Sequence, residues 1–257
     1  MSFAGEAFTL AIGLFAGMMA CLEVGYRIGR RSRQVHGESA HQGIGVIDAA
    51  VFALLGLLLA FTFAGATSRL DAKRDLIVRE ANAIGTAYLR VDILPASEQP
   101  EMRRLFGEYV DARLRVYEKI ADRSAAAHEL AHAAQIQRQI WSHAVAATAA
   151  DPVPTRALVL TALNEMIDIT TARTIALDTH LPGLIFLLLI IVALLSAVLA
   201  GHAMAERGAR SLLHMALYSA VIAITIYTVV DLEYPRVGLI RLDAADRALI
   251  ELRDSIR

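Results

Sequence analysis

The chain has 257 residues, 56% hydrophobic and 20% charged, with a formal net charge of −1 at pH 7 and a mean hydropathy of +0.48. That balance excludes a disordered chain and argues against an ordinary soluble enzyme, and no basic patch interleaved with aromatics offers a footprint for nucleic acid. The single cysteine, Cys21, lies in a hydrophobic run and leaves neither an intrachain disulfide nor a thiolate metal cluster available.

Residues 7–22 are uncharged between Glu6 and Glu23 and read as a first membrane span, with Glu23 at the interface. No basic leader or small-residue cleavage pattern precedes them, so the span is expected to be retained. Gly13 and Gly17 are four apart, as are Gly25 and Gly29, a spacing that lets helix backbones approach closely in lipid. A polar, arginine-rich loop follows over residues 26–42.

Residues 49–68 carry no ionisable side chain and are long enough for one helix to cross about 30 Å of hydrocarbon. Asp48 just before them suits the positive end of a helix dipole. From Arg69 the run becomes charged and amphipathic, with Leu70, Ile77, Ala81, Ile84, Tyr88 and Val91 at helical spacing. No proline interrupts the chain before Pro95, which predicts one rod of about 45 residues; the alternative is two helices kinked near Gly65. Glu80, Asn82, Thr86, Arg90 and Asp92 form a polar set on this rod, expected at a surface or between subunits.

Between Pro95 and residue 180 no span is predicted. Residues 101–122 read as an amphipathic helix with Leu105, Tyr109, Leu114, Val116 and Tyr117 towards one side, and residues 124–150 as an alanine-rich helix. The breaker Asp151-Pro152-Val153-Pro154 precedes a third helix over residues 155–179, whose core candidates are Leu158, Leu163, Ile167, Ile169 and Leu177. Residues 181–205 and 211–230 are the third and fourth spans, and Asp231-Leu232-Glu233-Tyr234-Pro235-Arg236 stops the last.

The expected fold is an all-α membrane protein with four transmembrane helices and an extramembrane helical bundle inserted between spans 2 and 3. Its parts are a first span pair (1–68), a helical domain continuous with span 2 (69–180), a second span pair (181–232) and a tail packing on the helical domain (233–257). Four spans place both termini and the helical domain on one side. Arg27, Arg30, Arg31, Arg33, Arg207 and Arg210 on one side balance Arg69, Lys73, Arg74, Arg79, Arg173, Arg236, Arg241 and Arg247 on the other, so the positive-inside rule does not orient the chain.

His128-Glu129-Leu130-Ala131-His132 matches HExxH, which on a helix sets two imidazoles on one face with a glutamate placed as general base. A third ligand is not suitably spaced: Asn164-Glu165 with Asp168, and His143, are the nearest arrangements. Zinc hydrolysis is therefore the least favoured reading, and the histidine pair is expected to be solvated or packed. Nucleophile elbows, phosphate loops and dinucleotide fingerprints are absent, so no enzyme is predicted.

Leu55-Gly56-Leu57-Leu58-Leu59-Ala60-Phe61, Ser68-Arg69-Leu70-Asp71-Ala72-Lys73-Arg74, residues 80–90, and Asp231-Leu232-Glu233-Tyr234-Pro235-Arg236 with Gly238-Leu239-Ile240-Arg241 resemble a bacterial family described as bestrophin-like. Through it the chain is distantly similar to the bestrophin anion channels. The resemblance implies a homo-oligomer, a pentamer in bestrophins, in the lipid of a bacterial inner membrane, with the helical domain and termini cytoplasmic. It implies that span 2 lines a pore for small ions, with Leu57, Phe61 and the smaller Ala53 in a hydrophobic neck. No cofactor and no metal are expected. Arg69, Lys73 and Arg74 would stand at the wider end of that pore, although Asp71 and Asp75 offset them, so anion preference comes from the resemblance. Leu70 and Ala72 stand where bestrophins carry bulky rings, and no acid cluster sufficient for a calcium clasp follows span 4. The alternative function is a non-conducting scaffold or sensor that binds a partner through the helical domain.

Overall fold

A computed structural model describes residues 3–36, 44–120, 122–206, 208, 210–236, 238–240 and 242–256. Residues 37–43 of the first loop, and Arg207 and Arg241 of the charge count, lie outside the described residues. The described residues form eight α-helices and no strand: α1 (Phe3–His36), α2 (Ile44–Leu89), α3 (Gln99–Glu118), α4 (Arg123–Ala147), α5 (Val153–Asp178), α6 (Gly183–Glu206), α7 (Leu212–Glu233) and α8 (Asp243–Ile256). Among the described residues, four helical stretches are long and apolar enough to cross a membrane. The chain divides into two compact units, Met1–Leu70 with His180–Ile240 and Asp71–Thr179 with Arg241–Arg257. Helix α2 contributes to both. It is one helix of 46 residues with no break at Gly65.

In the first unit, Leu14, Met18 and Leu22 of α1 pack with Leu55, Leu189, Ala193, Ala197, Met215 and Ile226 in one apolar core. Helices α1 and α6 touch backbone to backbone. A Cβ on Gly25 would lie 2.0 Å from the carbonyl oxygen of Val198, and one on Gly201 would lie 2.0 Å from that of Leu22. Only hydrogen fits there, and lipid supplies no hydrophobic drive between helices, so close dispersion contact takes its place. Neighbours advance in the same order along both helices, Gly17 to Leu194, Gly25 to Val198 and Gly29 to His202, so the two run parallel. Gly13, of the same sequence spacing, has open space beside it.

In the second unit the stripe read from sequence is internal. Ile77, Ala81, Ile84 and Val91 are buried with Leu105, Tyr109, Leu114, Val116 and Tyr117 of α3. A 3-10 turn, Arg90–Ile93, ends the long helix before Pro95. Pro100 in the first turn of α3 and Pro154 in the first turn of α5 occupy positions where a missing N–H costs nothing. Asp122 caps α4 by accepting from the amides of Ser124 (2.9 Å) and Ala125 (3.0 Å). Leu163 and Ile169 of α5 are buried, whereas Leu158, a core candidate by periodicity, is exposed. Helix α8 joins this unit through Leu249, which is fully buried, and through the Tyr88 hydroxyl, which donates to the carbonyl of Ile256 at 3.2 Å.

Candidate pore-lining helix

Within the first unit one side of α2 is committed to the core. Leu55, Thr62 and Ala66 are buried, Val51, Leu58 and Leu59 are half-buried against the same cluster, and the Phe52 ring meets Tyr218 edge-on at 6.4 Å. The other side is bare within the chain. Ala53, Leu57 and Phe61 are each four residues apart and share a face; Ala53 is exposed, Leu57 is 53% exposed and Phe61 68%. Leu54 and Phe63 on the flanks are exposed too. With no charge between Asp48 and Arg69, this surface is a continuous apolar strip that needs lipid, another helix or a dewetted passage beside it.

The three cations expected at a pore mouth have three different settings. Arg69 is engaged: its guanidinium donates through Nε (2.8 Å) and Nη2 to Oε1 of Glu233, whose side chain is fully buried. Lys73 is buried within the chain, at 7% exposure. Arg74 is exposed and paired with Asp71 one turn away at 3.2 Å.

Glu233 does more than end the fourth span. In the structure its Oε2 also accepts from the amide of Leu181 at 3.1 Å, so one carboxylate ties α2, the start of α6 and the end of α7 together. The imidazole of His180 stacks on Tyr234 with ring centroids 4.4 Å apart beside it. Two residues earlier, Asp231 accepts from the amides of Leu239 and Ile240, both at 2.8 Å. A Cβ at Gly238 would lie 2.1 Å from Asp231 Oδ1, so the turn closes only around a glycine. The signal was available in sequence: two acids at the end of an apolar helix, followed by proline and glycine, mark carboxylates that fold back on their own chain.

Glu80 departs from the surface position expected of its polar set. Placed with a surface polar set by its neighbours, it is fully buried in the second unit. Its Oε1 accepts from Arg113 Nε at 2.5 Å and its Oε2 from Arg173 Nη1, while Arg113 Nη2 donates to the Tyr117 hydroxyl at 2.6 Å. The Arg173 guanidinium carbon also lies over the Tyr117 ring, 3.8 Å from its centroid, and Arg173 Nη2 is 3.7 Å from Asp246 of α8. Asn82 and Thr86 remain exposed.

The HExxH segment is helical, but its glutamate is occupied. Glu129 accepts from Lys119 Nζ at 2.6 Å and Arg115 Nε at 3.0 Å, and these two cations hold its carboxyl down at about 2. A carboxylate so stabilised is a poor general base near neutral pH. His128 and His132 are exposed on α4.

The Bestrophin-like domain profile matches residues 12–245, nearly the whole chain. The chain belongs to the Bestrophin-like family. Solved structures share its fold: for two point variants of a bacterial bestrophin homolog from Klebsiella pneumoniae the TM-scores are 0.64 and 0.63, at 15% and 16% identity. The first match covers 92% of this chain and 98% of the other, the second 96% and 98%. A crystal structure described as a membrane protein variant matches with a TM-score of 0.58 at 17% identity, covering 93% and 98%. No curated protein matches the chain. The family assignment gives the Asp231–Gly238 turn and the Glu233 anchor a context: in this bestrophin-like chain the segment that carried the resemblance after span 4 binds α7 back to the ends of its neighbours.

Proposed function

We propose that this bestrophin-like chain is the subunit of a homo-oligomeric, pentameric ion channel of the bacterial inner membrane, with anions as the permeant species. The observation that carries it is the bare apolar stripe Ala53, Leu57 and Phe61 on α2, in a family named for channels. Repeated around an axis, these side chains make a ring that blocks ions by excluding water and opens by wetting. Of the three cations considered for the mouth, Arg74 keeps that role; Arg69 anchors α2 to Glu233, and Lys73 is internal. Anion preference rests on the family and not on local charge.

The test compares wild type with Leu57→Ala/Phe61→Ala in chloride-loaded liposomes, with oligomer mass measured in parallel. Smaller side chains lower a dewetting barrier, so the variant should pass more chloride with its assembly intact. Absent flux in both, with intact oligomers, removes the neck and leaves the scaffold reading. The termini and the second unit are proposed to be cytoplasmic, which a C-terminal fluorescent-protein fusion should report as bright and an alkaline phosphatase fusion as inactive.

A further inference from the structure

We infer that His128 and His132 form a surface chelate for a late divalent transition-metal ion, with copper(II), nickel(II) and zinc(II) as the class it takes. Among the eight histidines of the chain these two are the one pair spaced four apart, which on α4 brings their side chains together one turn apart on the same face. Both are exposed, and among the described residues neither has a hydrogen-bond or ion-pair partner. The flanking Ala125, Ala127, Ala131 and Ala134 are short, so nothing bulky stops the two rings from turning towards a shared ion.

The helix beneath them is already held. Asp122 caps its first turn, Ala133, Ile136, Ile140 and Ala144 are buried on a neighbouring face, and Glu129 is pinned by Lys119 and Arg115. Binding therefore orders two side chains and no backbone, which lowers its entropic cost. The pairing of Glu129 also separates this site from a hydrolase. The acid that HExxH chemistry needs as general base is turned into the unit, and no group of three His, Cys, Asp or Glu side chains among the described residues is placed to hold a metal. The chain supplies two imidazole nitrogens, and water fills the other positions. Neutral imidazole suits copper, nickel and zinc, and affinity along that row is greatest for copper(II).

The experiment titrates copper(II) into the full chain in detergent, by calorimetry and by electron paramagnetic resonance, for wild type, His128→Ala, His132→Ala and the double variant. Wild type should take its tightest equivalent with hyperfine structure from two imidazole nitrogens. Either single substitution should weaken that equivalent by an order of magnitude or more, and the double variant should lose it. Both side chains are exposed, so helical content should stay unchanged, and circular dichroism checks it. A double variant that binds copper as wild type does, or a single substitution without effect, overturns the chelate.

Discussion

Arg113 and Glu80 meet inside the second unit at 2.5 Å with 1% and 0% of their side chains exposed. Arg173, at 3%, shares the same carboxylate. Such a group is costly to desolvate, and its stability depends on every partner being present.

Glu80→Ala strands two guanidinium groups away from water and should cost about 3–5 kcal/mol of stability. Asp71→Asn is the contrast. It breaks the Arg74 pair, whose side chains are 47% and 64% exposed, and should change stability by less than about 1 kcal/mol. Thermal unfolding of the detergent-solubilised chain, read as the two shifts side by side, checks both; equal shifts would show that burial does not set the scale.

Packing of α1 on α6 depends on absent side chains. Gly25→Ala or Gly201→Ala puts a methyl 2.0 Å from a carbonyl oxygen, so the helices must part, and overpacking of this kind costs about 1–3 kcal/mol or more. Gly13→Ala has room and should be silent. Folded yield and monodispersity after solubilisation should fall for the first two and hold for the third.

Acid should act through Glu129. Its folded-state value, about 2, is below the ordinary 4.5, so pairing with Lys119 and Arg115 adds stability above the ordinary value. That stability is lost as pH falls from there through about 2. The melting-temperature gap between wild type and Glu129→Gln should therefore be steady at neutral pH and shrink on acidification below about pH 4.5. A gap that persists undiminished at about pH 2 contradicts the pairing.

The membrane class, the all-helical fold and the family follow from local features of the sequence. Uncharged runs of span length and a 3.6-residue apolar period need no knowledge of what lies opposite, and the lack of proline before Pro95 suffices to make α2 one helix. The family-bearing segments were equally legible as strings, though not as contacts. What each polar residue meets was settled only by tertiary structure. Glu80 lies 33 residues from Arg113 and 93 from Arg173, and Arg69 lies 164 from Glu233. At those separations local period gives no partner, and a charge beside exposed neighbours such as Asn82 and Thr86 looks like surface. The same holds for the glycines: Gly13 and Gly25 have the same spacing to their partners, and only the path of α6 makes one of them indispensable. Hydrophobicity and helical period act within a few residues, whereas ion pairs and close backbone contacts exist only after distant segments have met.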